Sequence, residues 1–290
     1  LLQMFPVRGI TQAVIAWWYS ANLSLVWFGL MGLATAFYLL PRITGRELSS
    51  HYLSLFVFWM LILFGSWTGI PSSAPVPAWM PVLSNIGTVL MLLGLIGLVL
   101  IIHQTLDGRY GLLAGQNPLR FTAVGLLAFM LVILMGVVEV FAGPGSFLQL
   151  TWFGNAKAQL TSYGFPAMVL FAGTYFILPR LVDDGLRFPK LARVQFWLAT
   201  IGIALVVIPF AIAGFVESAK LAQPDIAFVD VSKSMLMFIR ISTIGDLLIL
   251  IANGLFLLNV AGTVLRYYRV QLQAGFSAVT IEASAGEVRS

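Results

Sequence analysis

Four charged side chains lie within long apolar stretches of this sequence: Glu139, Lys157, Arg240 and Asp246. A charge at the centre of a membrane-spanning helix costs about 2.5–3.5 kcal/mol on insertion scales, so such residues are usually paired or functional. Buried carboxylates and amines can form ion pairs that fix helix packing, or they can relay protons and ions. We therefore treat these four residues as a candidate intramembrane polar network.

The positions of these residues along the apolar stretches indicate their relative depths. Glu139 lies near the end of one stretch and Lys157 near the start of the next, so the two should meet at a similar depth. We predict that Lys157 pairs with Glu139. Arg240 should lie at the same depth, and Asp246 about 9 Å deeper at 1.5 Å per residue. Two interpretations stay open: ion pairs that fix packing, or a proton or ion path.

Residues that bind redox metals are scarce. The sequence contains 2 histidines, His51 and His103, and no cysteine, which excludes disulfides, thiolate metal sites and c-type haem attachment through this chain. Haem iron needs an axial His, Met, Cys or Tyr, and copper needs clustered imidazoles. Both histidines lie at the ends of apolar stretches, where an interfacial, solvated role is the simplest interpretation. A bis-histidine haem requires those two ends to touch.

The composition is that of an integral membrane protein. Of the 290 residues, 60% are hydrophobic and 9% are charged, against about 25% charged in soluble domains. Seven apolar stretches are long enough to cross about 30 Å of hydrocarbon as helices. They cover residues 11–40, 52–70, 83–102, 120–141, 152–178, 194–215 and 235–266. The predicted fold is therefore all-α, a seven-transmembrane-helix bundle in one domain (residues 1–270) with a tail (residues 271–290).

Basic residues alternate between the predicted loops. The loops after the first, third and fifth stretches contain several arginines, whereas those after the second and fourth contain no lysine or arginine. The positive-inside rule then places the N-terminus outside and the C-terminal tail in the cytoplasm. These loops also account for the net charge of +5, so no nucleic-acid partner is expected.

Several segments resemble the second half of the catalytic subunit I of haem–copper oxidases, most of all the cbb3-type cytochrome c oxidases and their nitric oxide reductase relatives. The sixth helix of that family resembles the segment AVIAWWYSANLSLVWFGLMGLATAFYLLPR. The seventh helix with its following loop resembles residues 49–79. Residues 152–181 resemble the tenth helix, which typically reads AHxHLxxYG and ends near LPRL. VQFWLATIGIAL and MFIRISTIGDLLIL resemble the eleventh and twelfth. The resemblance implies helices six to twelve of a multi-pass protein of the bacterial inner membrane.

In that family histidines hold the metals, and the resemblance implies that this chain has lost them. Ala21 stands in the place of the sixth-helix histidine, and Pro71 and Ser72 in the place of the pair after the seventh helix. In the tenth helix AHAHL has become AKAQL, so Lys157 and Gln159 replace two haem ligands. We therefore expect no metal and no haem in this chain alone, and haem in partner subunits.

The resemblance also bears on the charged residues. Glu139 resembles a glutamate of the family's ninth helix, and Arg240 an arginine of the twelfth. Gly65 falls at or beside the tyrosine that cbb3-type enzymes place beside copper. A pair between Lys157 and Glu139 would fill space vacated by metal and haem.

Three functions follow as expectations. The first is a non-catalytic, degenerate subunit-I-like membrane subunit that scaffolds or docks partners in a respiratory electron-transfer complex, with other membrane subunits and cytochromes as partners. The second is an enzyme, one half of a split cbb3-type oxidase or nitric oxide reductase, with a partner chain supplying helices one to six. The third is a proton- or ion-conducting membrane module. Lipid or quinone in the vacated cavity is compatible with the first and third.

Overall fold

The structure is a computed structural model that describes residues 8–142, 148–182 and 185–287, with side chains up to residue 273. Within these ranges the chain is helical, with no strand. The long helices are α1 Ile10–Thr44, α2 His51–Gly65, α3 Trp79–Leu106, α4 Asn117–Phe141, α5 Trp152–Leu181, α6 Pro189–Leu221 and α7 Phe228–Glu287. The turns Leu112–Gly115 and Leu148–Leu150 precede α4 and α5. The predicted all-α class is therefore confirmed.

Helix α2 is shorter than the sequence predicts. Among the described residues, 6 helices are long and apolar enough to cross a membrane, and α2 is not one of them. It has 15 residues, about 22 Å at 1.5 Å per residue, against about 30 Å of hydrocarbon. The helix ends at Gly65. In the loop that follows, Gly69 adopts a φ of 111°. The count of seven spans stays a prediction.

Two helices are locally widened into π-helix. These segments are Asn22–Phe28 in α1 and Leu160–Ala167 in α5, and they contact each other. Pro166 lies inside the second segment, where its missing N–H prevents a regular α-helical pattern. π segments often mark functional sites. These two begin directly after Ala21 and Gln159, both of which the resemblance assigns to ligand positions.

Helices α6 and α7 pack backbone against backbone at a pair of glycines. A Cβ atom on Gly202 would lie 2.9 Å from the carbonyl oxygen of Gly245, and one on Gly245 would lie 2.7 Å from the carbonyl oxygen of Gly202. Small residues at a crossing let membrane helices approach closely and gain van der Waals contact. The crossing therefore depends on the absence of both side chains.

Helix α7 is the most exposed long helix of the described part. Only 17% of its most apolar 18-residue window is buried, against 50% in α4 and α5. The helix also continues through most of the predicted tail, as far as Glu287. No proline follows Pro224 in the sequence, so nothing removes a hydrogen-bond donor from this helix. One face of α7 is therefore left without a neighbour from the part of the chain that the structure describes.

Candidate functional site

A cavity of about 440 Å³ lies between α1, the α2–α3 loop, α3, α4 and α5. This volume falls within the roughly 300–1,000 Å³ of small-molecule sites. Its polar lining residues are Ser20, Ser24, Thr68, Ser72, Ser84, Asn85, Thr88, Glu139, Gln149, Lys157, Thr161 and Ser162. Apolar residues such as Trp17, Met91 and Ile133 complete the wall. The cavity is therefore amphipathic.

Four of the five positions assigned to lost ligands line this cavity. They are Ala21 on α1, Pro71 and Ser72 in the α2–α3 loop, and Lys157 on α5. The fifth, Gln159, is not a lining residue, and it has no hydrogen-bond partner among the described side chains. The fold thus brings together the positions that the resemblance assigns to metal ligands. The side chains around them are mainly hydroxyl, amide and apolar groups.

Gly69 holds the α2–α3 loop against α1. A Cβ atom at this position would overlap the side chain of Ala21 and would lie 3.0 Å from the carbonyl oxygen of Trp17. The φ of 111° also favours glycine. The loop can therefore approach α1 closely only because residue 69 has no side chain and residue 21 has a small one.

Lys157 and Glu139 form an ion pair across α4 and α5. The Nζ atom of Lys157 donates to Oε2 of Glu139, and the side chains are 25% and 8% exposed. The predicted pairing is therefore present in the structure. The other carboxylate oxygen, Oε1, is buried and has no hydrogen-bond partner in the described part of the protein. The pair compensates the buried charges but leaves one strong acceptor unsatisfied.

Side chains of α3 fix the loop that forms one wall. Ser72 and Asn85 hydrogen-bond to each other, with Nδ2 of Asn85 3.1 Å from Oγ of Ser72. The backbone N–H of Ile70 donates to Oγ of Ser84 at 3.1 Å. These bonds satisfy polar groups that would otherwise be costly to bury. The loop conformation is thus tied to the helix beneath it.

Arg240 and Asp246 do not join this site. Both are exposed on α7, neither lines the cavity, and neither has an ion pair or hydrogen bond with the described residues. Depth along a helix was correctly matched for Lys157 and Glu139, but α7 turns its two charges away from the bundle. The four-membered network therefore reduces to a pair here.

The described lining of the cavity contains no histidine, so it does not match the histidine ligands for haem and copper that the resemblance implies. Among the described residues there is no cluster of three or more His, Cys, Asp or Glu side chains. His103 is exposed at the far end of α3 and its Nδ1 lies 2.7 Å from the hydroxyl of Tyr110. It is 19 residues from Ser84, about 28 Å along the helix. His51 is exposed at the start of α2. Neither histidine reaches the cavity.

Sequence reasoning missed one carboxylate near the site. Oε2 of Glu217, on α6, accepts a hydrogen bond of 3.0 Å from the backbone N–H of Trp152 at the start of α5. A negative charge at a helix N-terminus is favoured by the helix dipole. The signal in the sequence is a glutamate at the end of the sixth apolar stretch, on the same side as Lys157. Glu217 anchors the helix that carries the lysine.

Fold and site together define a polytopic helical membrane protein with an amphipathic cavity. Comparison with known proteins shows the family. The family model described as cytochrome c and quinol oxidase polypeptide I matches residues 1–248, and the chain belongs to that family. The resemblance noted from the motifs is thereby confirmed.

Relatives with curated descriptions agree with this assignment. Cytochrome c oxidase subunit 1 of Rhodobacter capsulatus is 25% identical over 267 residues, which is 89% of this chain and 50% of the relative. The cbb3-type cytochrome c oxidase subunit CcoN1 of Stutzerimonas stutzeri is 24% identical over 212 residues, 72% of this chain and 45% of the relative. A cytochrome c oxidase subunit 1 homolog of Azorhizobium caulinodans is 22% identical over 276 residues. The chain spans about half the length of the curated relatives that it matches.

Proposed function

We propose that this chain is a non-catalytic membrane subunit of a bacterial respiratory electron-transfer complex, in which it scaffolds or docks its partners. The observation that carries the proposal is the set of residues that line the cavity. Ala21, Pro71, Ser72 and Lys157 occupy its walls, and none of these residue types completes a haem or copper site of the family's kind. The helical frame is retained while the ligands are replaced, so the frame itself is the useful part.

Helix α7 supplies the surface for partners. Arg240 and Asp246 are exposed there without a partner among the described residues, in a stretch apolar enough to span a membrane. A charge facing lipid is costly, whereas a charge facing a complementary side chain of another subunit is compensated. We assign the partner to other membrane subunits, including cytochromes that bring the haem, with lipid or quinone as further components of the complex.

The proposed arrangement in the membrane follows the sequence prediction. All seven helices cross the inner membrane, α2 with the help of its flanking loops, and the C-terminal end of α7 lies in the cytoplasm. The basic loops between α1 and α2, α3 and α4, and α5 and α6 support this orientation.

A spectrum tests the proposal directly. The chain is purified both alone and with its native partners, and each sample is measured by reduced-minus-oxidised visible spectroscopy and metal analysis. We expect the isolated chain to be colourless and the co-purified complex to contain cytochrome bands. Haem bands or stoichiometric copper in the isolated chain would overturn the proposal.

A second candidate function is a proton- or ion-conducting module, which the ion pair in a polar cavity favours. Proteoliposomes containing the chain and a pH-sensitive dye inside would then acidify when a proton gradient is applied, and Glu139→Gln would abolish the flux. A flux equal to that of empty vesicles would exclude this function. The split-enzyme interpretation is disfavoured because the missing ligands stand on helices that this chain itself provides.

A further inference from the structure

A row of exposed side chains follows one face of α6, and we call it the α6 stripe. Its members are spaced three, four or seven residues apart, which places them on the same side of a helix. They are Lys190, Arg193, Trp197, Ile201, Ile208, Ile212 and Phe215. The stripe is therefore basic where the helix begins and apolar beyond the tryptophan.

The basic end of the α6 stripe is unpaired within the described part of the protein. Neither Lys190 nor Arg193 makes a side-chain ion pair or hydrogen bond with a described residue. The surrounding segment is basic in sequence, with 4 Lys and Arg against 2 Asp in residues 180–193. An anion outside the protein is the natural counter-charge for these two side chains.

These charges lie where a membrane has its lipid head groups. Helix α6 is long and apolar enough to span a membrane, and Lys190 and Arg193 precede its apolar stretch. Trp197 follows Arg193 by about 6 Å along the axis, and its indole N–H has no hydrogen-bond partner among the described residues. Tryptophan is enriched at the membrane–water interface because its ring is apolar and its N–H is a donor. The basic end of the stripe therefore combines cations and a donor at the depth of the interface.

The apolar part of the α6 stripe suits acyl chains better than another helix. Membrane helices pack on each other through small residues, whereas the side chains exposed here are isoleucine and phenylalanine. The small residues of α6 point elsewhere, since a Cβ atom on Gly202 would meet α7 and one on Gly214 would overlap α5. Trp197 and Ile208 lie about 16 Å apart along the axis, roughly half of the 30 Å hydrocarbon core. That length matches the acyl chains of one leaflet.

We propose that the α6 stripe binds an anionic phospholipid. Lys190 and Arg193 contact the phosphate group, and the indole N–H of Trp197 donates to an ester carbonyl oxygen. One acyl chain lies along Ile201 and Ile208. A zwitterionic lipid has the same phosphate but also a cation, which the two basic side chains repel, so the site prefers a head group without a cation. The inference goes beyond the proposed function, because it concerns a surface other than the cavity and the exposed face of α7.

Native mass spectrometry of the purified chain in detergent measures the binding. The probes are dioleoyl phosphatidylglycerol and dioleoyl phosphatidylcholine, which have identical acyl chains and differ in the charge of the head group. A basic side chain near an anionic lipid contributes about a fivefold preference. We therefore expect the first phosphatidylglycerol to bind about tenfold more tightly than the first phosphatidylcholine, or better.

Two double variants locate the site. Lys190→Gln with Arg193→Gln should lower the affinity for phosphatidylglycerol to that for phosphatidylcholine, and should keep the stability of the chain because both side chains are exposed and unpaired. Lys220→Gln with Lys233→Gln removes the same total charge where α6 ends and α7 begins. This matched control should leave the preference unchanged.

A variant of the tryptophan tests the other half of the contact. Trp197→Leu removes the indole N–H and the ring while it keeps both basic side chains. Because the ester carbonyl and the acyl chains are common to both probes, this variant should weaken both lipids and preserve the preference for phosphatidylglycerol.

Three results would overturn the inference. Equal affinities of the unmodified chain for the two lipids would show no selective site. An equal loss of preference in both double variants would show diffuse attraction to all basic residues. Displacement of the lipid by millimolar glycerol phosphate would show a phosphate site in which the apolar stripe takes no part. None of these results bears on haem in the isolated chain, so the proposed function is tested separately.

Discussion

At the residue scale, the ion pair between Lys157 and Glu139 shows how two charged side chains are accommodated in the wall of the cavity. A lysine in an apolar wall is costly by itself, but Oε2 of a neighbouring carboxylate accepts a hydrogen bond from its ammonium group. The carboxylate needs the lysine even more, because its side chain is only 8% exposed. Each charge is retained because the other compensates it.

Replacing the lysine should therefore destabilise the protein through the glutamate. In Lys157→Met the carboxylate of Glu139 stays buried without a counter-charge. Removing one partner of a buried pair costs about 3–5 kcal/mol, and we expect the lower end because Lys157 is 25% exposed. Denaturant unfolding in detergent, followed by tryptophan fluorescence, measures the loss.

The double variant Lys157→Met with Glu139→Leu is the control for this prediction. Apolar residues of similar volume often replace a buried pair at no cost, so the double variant should recover most of the lost free energy of unfolding. A single variant as stable as the unmodified chain would contradict the assignment of a compensating pair.

At the residue scale, sequence reasoning paired Lys157 with Glu139 but did not predict that Arg240 and Asp246 face away from the cavity. Position along a helix indicates depth at about 1.5 Å per residue, which was enough to match Lys157 with Glu139. The same reasoning placed Arg240 at that depth, but it contains no information on the direction in which a side chain points. Helices that are apolar on all sides lack the periodic stripe that would reveal it.

At the element scale, the contact between α6 and α7 depends on two glycines. Gly202 and Gly245 place the two backbones so close that a Cβ atom on either would lie within 2.9 Å of the opposite carbonyl oxygen. These carbonyl oxygens belong to the backbone, so a methyl group here cannot push them aside as it could the end of a flexible side chain. The helices would have to separate along the crossing.

Gly245→Ala should lower the free energy of unfolding by about 1–3 kcal/mol, the usual cost of overpacking. Gly254→Ala on the same helix is the matched control, because a Cβ atom there has nothing within 4 Å. It should stabilise the helix by about 0.5–1 kcal/mol, since alanine is the better helix former. Thermal unfolding of both variants in one detergent makes the comparison. Equal destabilisation by both would refute the close-approach explanation.

The exposed charges of α7 allow a prediction about assembly. In the double variant Arg240→Leu with Asp246→Leu, the isolated chain should keep its stability, because these side chains have no partner in the described protein. Recovery of partner subunits in affinity purification should fall at least fivefold. Arg269→Leu makes the arginine-to-leucine change alone beyond the apolar stretch, and should leave recovery unchanged. Full recovery by the double variant would remove α7 as the docking surface.

At the scale of the whole molecule, the distribution of basic residues predicts the orientation. Arg42 in the last turn of α1 and Arg46 and Arg109 in loops lie on one side of the bundle, and Arg269 is on the same side at the end of the apolar part of α7. The positive-inside rule places this side in the cytoplasm. A C-terminal alkaline phosphatase fusion should therefore be inactive and a C-terminal green fluorescent protein fusion bright. The reverse result would invert the topology.

The sequence alone determined the class of this protein and the approximate position of its helices, and through the resemblance it predicted the loss of the metal ligands. These features depend on composition, on the length of apolar runs and on residue identity, all of which are local. It also matched Lys157 with Glu139, because consecutive antiparallel helices bring their adjoining ends to one depth.

Only the tertiary structure decided which of these residues share a site. It turned Arg240 and Asp246 outward, shortened α2 and set Gly69 against Ala21, so that the α2–α3 loop closes one wall of the cavity. The physical reason is that lipid solvates every face of an apolar helix equally well. Close packing between helices, as at Gly202 and Gly245, therefore decides which face of each helix points into the bundle. One sequence by itself does not show which helices pack together.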